Sequence, residues 1–273
     1  MTSIVLTVHN KDWLIEKVLR GIFENSNEIR CELILVFDGC TDSSEEVALN
    51  FCKIHKPGNF SLKTVYTPDV FETKANNAGA RIATGDSIMI VQDDMVVKED
   101  GWITRMQKPI KEFSDVFAVT ARTAHNWVYN INNVHENISD DLDNCWCDIL
   151  HHVDHADRRN TPREVFAIRE SVNRGPLLLR HDILEKMNYF DERFSPQDMD
   201  DHDLCYRTSK LLGMRSGCYW IDFESQDDWG GTRVSGSTAP WVLKANHKNM
   251  KTVWSRHRDI ILGPKTLEQR NLK

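Results

Sequence analysis

Carboxylates stand at two places in this 273-residue chain where they could bind a metal ion or accept a proton. Asp93 and Asp94 follow the apolar run Ile88–Val91, and Asp200 and Asp201 open a segment with helical spacing. Mg²⁺ and Mn²⁺ prefer oxygen ligands and keep positions open for phosphate oxygens. A carboxylate beside a reacting hydroxyl can act as a general base. These residue types point to a site that combines a divalent cation with proton transfer.

Each acidic pair also has a structural interpretation. The first pair, taken alone, is typical of a solvated turn after a strand. The second pair could simply complement a helix macrodipole. Within the same segment we expect Asp203 to cap the helix or to pair with Arg207 four residues later. Because Asp200 stands beside Asp201, ionisation of both together is disfavoured, and this predicts raised basicity for the pair.

Strands that alternate with helices must position these side chains. Short apolar runs predict buried strands over Ile4–Val8 and Leu33–Phe37, and two further strands are predicted over Leu62–Tyr66 and Ser87–Val91. Helical spacing follows the first two strands, and a further helix is predicted over Thr73–Ala83. The alternation predicts an α/β fold with a mostly parallel sheet. Ligands bind such sheets at the carboxyl ends of the strands.

The rest of the chain predicts a second half and an extension. We expect residues 1–95 to form a nucleotide-binding half and residues 96–225 an acceptor half, in which residues 120–170 are a long loop with short elements. A strand over Gly175–Arg180 and helices over Asp182–Met187 and 200–212 should follow. Residues 226–273 are predicted to be a flexible Gly- and Ser-rich loop and a C-terminal helix from about Pro240 to Ile261.

Four motifs occur in order along the chain, and two further segments accompany them. The motifs are Ser3–Asn10, Val36–Asp42, Ile88–Met95 and Asp200–Arg207, with Lys74–Gly79 and Asn188–Phe194 between them. Over residues 1–225 their order and spacing resemble family 2 glycosyltransferases. The resemblance implies the GT-A fold, a Rossmann-like, mostly parallel sheet flanked by helices. It also implies an inverting transfer of sugar from a nucleoside diphosphate to a hydroxyl group.

The resemblance assigns roles to individual residues. Contacts with the nucleotide-sugar donor fall on Thr7, His9, Asn10, Asp38, Lys74, Asn77, Gln92 and Asp93. Asp38 matches the aspartate that binds base and ribose, and Asp94 matches the surest ligand for Mn²⁺ or Mg²⁺, with Asp93 as a second candidate. Asp201 matches the general base. We expect acceptor contacts at Asp200, Gly175, Pro176 and Trp229, the last because it stands in a Gly-rich loop.

The chain departs from the family's pattern at three places. Gln92 replaces the first aspartate of the metal motif, and Asn76 replaces an arginine. Many relatives have a third metal ligand, a histidine, in the region that here runs from Tyr219 to Ser225 without one. Three candidates for that ligand stay open, and they are Glu224, Asp227 and His257.

Two other functions compete with a transferase. A sugar-1-phosphate nucleotidyltransferase should carry a Gly-rich phosphate loop after the first strand, and residues 9–12 contain no glycine. A non-catalytic relative that binds carbohydrate or nucleotide sugar is kept open by Gln92 and by the absent histidine. For the transferase, the resemblance favours a UDP-sugar over a dTDP- or GDP-sugar, and a glycan or another hydroxyl compound as acceptor.

Composition bounds the partners and the compartment. The net charge of −7 argues against nucleic acid as a partner. Seven cysteines, an odd number, predict reduced thiols in the cytoplasm. No apolar run reaches the ~18 residues of a membrane span, so only peripheral membrane contact stays open, as does the oligomeric state. One segment has zinc-ligand residue types at loop-like spacing, namely Cys145, Cys147, His151, His152 and His155.

Overall fold

The computed structural model describes residues 1–27, 29–126, 146–150, 162–226, 228–230, 239–264 and 268–272. Its helices are α1 Ile15–Glu24, α2 Ser44–His55, α3 Phe71–Arg81, α4 Trp102–Glu112, α5 His181–Lys186, α6 Asp200–Leu212 and α7 Ala239–Ile261. Its strands are β1 Thr2–Val8, β2 Cys31–Asp38, β3 Phe60–Thr67, β4 Ser87–Gln92, β5 Val96–Val97, β6 Val116–Thr120, β7 Thr123–Asn126, β8 Trp146–Leu150, β9 Val165–Arg169, β10 Ser171–Val172, β11 Leu177–Arg180, β12 Arg215–Cys218, β13 Phe223–Glu224 and β14 Gln269–Asn271.

The first half of the chain is a parallel sheet with helices on its faces. Strand β1 pairs in parallel with both β2 and β4, and β2 pairs in parallel with β3. Strands β1 and β2 are buried along almost their whole length, as expected for strands covered on both faces. Helix α1 packs its buried residues Ile15, Val18, Leu19 and Ile22 against this sheet, in agreement with the predicted helical spacing.

The second half continues the same sheet with mixed strand directions. The described strands form one nine-stranded sheet in the order β14-β9-β12-β6-β11-β4-β1-β2-β3. Strand β11 runs antiparallel to both β4 and β6, whereas β12 and β6 are parallel. Strand β11 therefore joins the predicted nucleotide-binding half to the predicted acceptor half through continuous backbone hydrogen bonds.

The C-terminal helix packs on the helix that carries the second acidic pair. Residues of α6 and α7 share an apolar cluster with Phe194 and Met199, and it includes Tyr206, Val253 and Trp254. Helix α7 is kinked at His257, where the backbone leaves helical geometry. Strand β14 lies outside the 1–225 range and still joins the main sheet by pairing with β9. None of the described helices has both the length and the apolarity to cross a membrane.

Helix α4 and strand β6 are among the elements that we did not predict from the sequence. Helix α4 contains Pro109, whose lack of an N–H group makes a helix assignment unfavourable, although Trp102, Ile103 and Met106 are buried. Strand β6 is a short apolar run of five residues. The segment predicted as a long loop with short elements contributes the short strands β7, β8 and β9 in its described parts.

Candidate active site

The first two motifs meet the metal motif where β1, β2 and β4 end. The backbone N–H of His9 donates to Asp93 Oδ2 at 2.9 Å. The imidazole Nδ1 of His9 donates to the carbonyl oxygen of Asp38 at 2.6 Å. A single residue after β1 thus fixes the ends of both neighbouring strands, as expected for side chains at the carboxyl edge of a parallel sheet.

The carboxylate of Asp38 is fully buried and fully engaged. It accepts hydrogen bonds from Thr67 Oγ1 at 2.6 Å and from the backbone N–H groups of Val70 and Phe71, both at 2.8 Å. Phe71 has a φ of +67°, a conformation that a bulky side chain seldom adopts. Asp38 therefore holds the entry to α3, and its contact with a nucleotide stays a prediction.

The other residues of β1 and its following loop that we predicted to contact the nucleotide-sugar donor form hydrogen bonds with later motifs. Asn10 Oδ1 accepts from the backbone N–H of Thr41 at 2.8 Å. Thr7 Oγ1 donates to Asn76 Oδ1 at 2.9 Å. Asn76 is buried, and its Nδ2 has no hydrogen-bond partner among the described residues. Asn76, the residue that replaces an arginine, therefore has an N–H group next to Thr7 that makes no hydrogen bond with a described residue.

Two residues of α3 that we predicted to contact the nucleotide-sugar donor face the loop before α6. Asn77 is buried and exchanges hydrogen bonds with the backbone of Phe190, at 2.8 Å through Nδ2 and 3.1 Å through Oδ1. Lys74 is exposed and, together with residues 187–193, lines a cavity of about 660 Å³. Asn77 thus connects α3 to this loop, and a donor contact for either residue stays a prediction.

Asp94 has the feature expected of a metal ligand. Its Oδ1 is shielded from solvent and makes no hydrogen bond with a described residue. A Cβ atom built on Gly230 would lie 2.9 Å from Asp94 Oδ2, so the backbone at Gly230 approaches this carboxylate closely. Among the described residues no three His, Cys, Asp or Glu side chains form a metal-binding group. Asp94 fits a cation held by one or two carboxylates and substrate phosphates.

The candidates for a third metal ligand are distributed differently. Glu224 forms ion pairs with Lys17 at 3.2 Å and Lys98 at 3.1 Å. His257 Nε2 lies 2.8 Å from Asp203 Oδ1 on α6. Both are committed to contacts away from Asp94, whereas Asp227 falls outside the described residues.

The side chain of Gln92 bridges two charged groups. Its Nε2 donates to Glu72 Oε1 at 2.9 Å, and its Oε1 accepts from Arg122 Nη1 at 2.8 Å. Gly175, with a φ of +88°, leaves no room for a Cβ beside the Gln92 side chain. The departure from aspartate at this position therefore has a structural reason, because an amide can donate to one neighbour and accept from another.

Arg174 is the centre of the predicted acceptor region, and the sequence did not identify it. Its guanidinium forms a two-pronged ion pair with Asp200, and its Nε lies 3.4 Å from Glu72 Oε1. Its backbone N–H donates to Asp201 Oδ2 at 3.0 Å. Arg174 is 5% exposed and Asp200 is fully buried. Buried acids require a compensating cation. The position of Arg174, directly before Gly175-Pro176, was the signal in the sequence that could have identified it.

The predicted rise in basicity is wrong for Asp201. Burial alone would raise the pKa of Asp201, but Arg174 and His202 outweigh it and hold that pKa well below its ordinary value. The Nδ1 atom of His202 lies 2.8 Å from Asp201 Oδ1. The expectation considered only the repulsion from Asp200 and lacked the arginine that compensates both acids. Asp203 does pair with Arg207, at 2.6 Å, as predicted.

A third carboxyl group precedes α6 and behaves differently. Burial, reinforced by Asp201 and Asp200, raises the pKa of Asp198 to about 6 although His202 opposes the shift. Asp198 has a φ of +75° and the next residue, Met199, has a φ of +67°. Such backbone strain occurs often at functional sites. Asp198, unlike Asp201, is therefore a carboxyl group that could exchange a proton near neutral pH.

Trp229 is held in place by two lysines. The Nζ atom of buried Lys11 donates to the Trp229 carbonyl oxygen. The Nζ atom of Lys17 lies 4.3 Å from the centre of the Trp229 ring. The residue is 7% exposed, which leaves little ring surface for an acceptor. These contacts instead attach Trp229 to Lys17 of α1 and to Lys11, which precedes that helix.

Several expected features lie wholly or partly outside the described residues. Cys145, His151, His152 and His155 fall there, and only the backbone of Cys147 is described. The zinc hypothesis therefore stays a prediction.

Pro176, a predicted acceptor contact, follows Gly175 through a cis peptide bond, and its carbonyl oxygen accepts from the backbone N–H of Ala121 at 3.3 Å.

A family comparison agrees with the motifs. The model of glycosyl transferase family 2 matches residues 3–175, which is more than half of the chain. This match confirms the family resemblance, and it covers the first three motifs, whereas Asp200–Arg207 lies beyond it. No curated protein sequence matches the chain.

Solved structures share the fold at low sequence identity. A mannosyltransferase from Pyrobaculum calidifontis in complex with GDP-Man and Mn²⁺ is 13% identical with a TM-score of 0.56, over 96% of this chain and 76% of that chain. Glucosyl-3-phosphoglycerate synthase from Mycobacterium tuberculosis, with Mn²⁺, UDP-Glc and phosphoglyceric acid, is 13% identical with a TM-score of 0.54, over 94% and 80%. These likenesses confirm the predicted α/β fold of GT-A type.

A third similar structure is longer than this chain. TarS 1-349 of S. aureus in complex with UDP is 13% identical with a TM-score of 0.53, and the match covers 82% of this chain. The chain spans 60% of the length of that protein. The likeness therefore concerns the shared transferase fold.

Proposed function

The chain belongs to glycosyl transferase family 2 and is a glycosyltransferase, and from this premise we propose its donor, its cation and its chemistry. The donor is a nucleoside-diphosphate sugar, and the acceptor is a hydroxyl group, of a glycan or a similar compound. The reaction is one inverting displacement at the anomeric carbon. The proposed location is the cytoplasm, where the cysteines stay reduced.

The bound ligands of the similar structures support the donor and the cation. They contain UDP, UDP-Glc or GDP-Man, and two of them contain Mn²⁺. We favour a UDP-sugar for this chain, with GDP- and dTDP-sugars as alternatives. The cation is Mn²⁺ or Mg²⁺, since both bind through one or two carboxylates together with substrate phosphates.

The carboxylate of Asp94 is the observation that carries the proposal. An acidic oxygen that is buried without a hydrogen bond is costly unless a cation or another partner compensates it. We propose that Asp94 binds the cation and that Asp93, fixed by the backbone of His9, lies beside it. A bound cation would neutralise the diphosphate as it leaves.

A connected set of contacts supports a common site for donor and acceptor. Gln92 precedes Asp93 directly and bonds to Glu72, which lies 3.4 Å from Arg174. Arg174 in turn holds Asp200 and Asp201 at the start of α6. The metal motif and the proposed base are therefore joined through two side chains. This arrangement suits a site in which the acceptor hydroxyl approaches a sugar held at the carboxyl ends of β1 and β4.

Asp201 is the proposed general base. Its low pKa keeps it ionised at neutral pH, which is the state that accepts a proton from the acceptor hydroxyl. The same low pKa reduces the driving force for that transfer. Asp198 is the competing candidate, because a base is most efficient when its pKa lies near the working pH.

The proposal is tested by an assay of donor turnover. Purified protein is incubated with UDP-, GDP- and dTDP-sugars in turn, with Mn²⁺ or with a chelator, and release of nucleoside diphosphate is measured. We expect metal-dependent release from one donor class. Metal-dependent binding of a nucleotide sugar without release or transfer, for any acceptor in a hydroxyl panel, would instead identify the non-catalytic relative.

A further inference from the structure

Helix α7 uses one face to attach itself to the protein. Val253 and Trp254 are buried against the cluster that contains Phe194 and Tyr206. Asn249 is also buried, and its Nδ2 donates to the carbonyl oxygens of Phe194 at 2.6 Å and of residue 197 at 2.8 Å. These contacts fix which face of the helix points away from the protein.

The opposite face of α7 is a row of lysines. Lys244, Lys248 and Lys251 are exposed, and their spacing of four and three residues places them on one side of the helix. No carboxylate in the described part of the chain lies within ion-pair distance of these three lysines. Together with His247 and Arg256 they line a groove of about 530 Å³. We call Lys244, Lys248 and Lys251 the lysine row.

The lysine row stands out from the charge of the whole protein. Helix α7 carries five Lys or Arg side chains and one Asp, a net charge of +4 with neutral histidines, whereas the chain has a net charge of −7. Unpaired like charges on one helix face repel one another, so the row gains electrostatic energy when an anionic surface covers it. The charge therefore selects an anionic partner.

Exposed apolar side chains stand at the start of the same helix. Trp241 is 50% exposed and Leu243 is 62% exposed. The rings of Trp241 and Phe71 pack in a T-shaped arrangement with their centres 5.2 Å apart, so the Trp241 ring is held at the surface. Tryptophan is enriched at the membrane interface, where its apolar ring and polar N–H are both accommodated. A basic helix face next to Trp and Leu is typical of helices that lie on a membrane.

We propose that this face of α7 docks the protein on an anionic lipid membrane. The lysine row contacts the phosphate and carboxylate headgroups, and Leu243 and the exposed part of Trp241 enter the headgroup region. Each Lys near an anionic membrane strengthens binding roughly fivefold, so the row supplies about a hundredfold. The apolar contacts favour a lipid surface over a soluble polyanion, which would contact the lysines alone.

Docking would place α7 between the membrane and α6, the helix that begins with the acidic pair. Through Asn249, α7 is bonded to residues 194–198, which lead into α6 and its acidic pair. Through His257 and Arg256 it is bonded to Asp203 on α6 itself. The proposed contact does not depend on the transferase chemistry, and it can be tested without a substrate.

Vesicle co-sedimentation tests the proposal. The whole protein is mixed with vesicles of phosphatidylcholine alone, or with about one third phosphatidylserine or phosphatidylglycerol. We expect binding to both anionic vesicles, weakening with salt because the charges are exposed, and little binding to phosphatidylcholine. The triple variant Lys244→Glu, Lys248→Glu, Lys251→Glu should bind anionic vesicles at least about a hundredfold more weakly.

A matched variant controls for overall charge. Lys53, Lys108 and Lys186 are exposed on other helices, and reversing all three to Glu changes the net charge equally. This control should retain vesicle binding, and both variants should keep the circular dichroism spectrum and thermal midpoint of the unaltered protein. The variant Leu243→Ser should weaken vesicle binding by a smaller factor and leave its salt dependence unchanged.

Three results would overturn the proposal. One is equal binding to anionic and phosphatidylcholine vesicles, and another is equal loss of binding in both triple variants. The third is salt-sensitive binding to soluble heparin or polyphosphate without binding to anionic vesicles, which would assign the lysine row to a soluble polyanion. If the triple variant loses vesicle binding because it is unfolded, the single variant Lys248→Glu replaces it as the test. For this variant we expect roughly a fivefold loss of vesicle binding.

Discussion

Arg174 and Asp201 are joined by two contacts, a backbone hydrogen bond and an ion pair. The backbone N–H of Arg174 donates to Asp201 Oδ2 at 3.0 Å, and its Nε lies 3.6 Å from the same oxygen. The rest of the guanidinium holds Asp200, so one arginine compensates both acids at the start of α6. Its own pKa is raised well above the usual value, since the attraction of Asp200, Glu72 and Asp201 outweighs the effect of burial.

We expect Arg174→Gln to be strongly destabilising. Removing one partner of a buried ion pair leaves its acids uncompensated and costs about 3–5 kcal/mol. Urea unfolding measures this loss. The matched control is Arg193→Gln, because Arg193 also pairs with an aspartate but its side chain is 77% exposed, and we expect little change there. Similar losses of unfolding free energy in both variants would show that the buried ion pairs of Arg174 stabilise the protein no more than an exposed ion pair does.

The two candidate bases can be separated by Asp201→Asn and Asp198→Asn. If Asp201 is the base, Asp201→Asn should lower kcat at least about a hundredfold, the low end for loss of a general base, while donor affinity persists. Asp198→Asn and Asp200→Asn should then each cost less. A larger loss in Asp198→Asn would transfer the role to that residue. A larger loss in Asp200→Asn would reverse the assignment within the pair.

Asp198 also makes stability depend on pH. Its folded pKa of about 6 lies above the ordinary value of 3.8, so the folded state binds this proton more tightly. The resulting stabilisation is present at low pH and is lost as pH rises from about 4 to 6. Asp198→Asn, which is neutral throughout, should therefore gain stability relative to the unaltered protein between pH 4.5 and 7.5.

The pH effect is measured by urea unfolding at both pH values. Asp100→Asn, at an exposed position, is the control and should show the same offset at each pH. His125 also changes stability in this range, because burial lowers its pKa to about 3, but its effect is present in every variant and cancels in the comparison. An offset for Asp198→Asn that does not change with pH would contradict the assigned pKa.

Asp38 can be tested as a support or as a direct nucleotide contact. Asp38→Asn replaces an acceptor oxygen with a donor, so at least one hydrogen bond from Thr67, Val70 or Phe71 is lost, at a cost of about 1–3 kcal/mol. Thr67→Val removes one donor and keeps the carboxylate. If Asp38 acts as a support, both variants should lower UDP affinity modestly. A large loss confined to Asp38→Asn would indicate direct contact.

The sequence predicted what depends on local pattern. Strands β1 and β2 and helix α1 were identified because their apolar runs and helical spacing are continuous. The pairing of Asp203 with Arg207 was identified because it is a one-turn contact. Helix α4 was missed because Pro109 interrupts a pattern that burial of Trp102 nevertheless stabilises.

The sequence could not predict contacts that depend on distant parts of the chain. Asp38 is bonded by residues about 30 positions later, so its burial could not be foreseen. The low pKa of Asp201 comes from Arg174, which reaches it from 27 positions earlier. A motif therefore indicated which acids matter, and the charges packed around them decided what each acid can do.

The most direct test of the central claim is titration calorimetry of UDP with and without Mn²⁺, for the unaltered protein and for Asp94→Ala. We expect Mn²⁺ to strengthen UDP binding to the unaltered protein, and Asp94→Ala to reduce that gain at least about tenfold, the loss seen even for indirect metal partners. Asp100→Asn, the exposed control, should keep the full gain. An undiminished Mn²⁺-dependent gain in Asp94→Ala would contradict the assignment of the metal site and the function built on it.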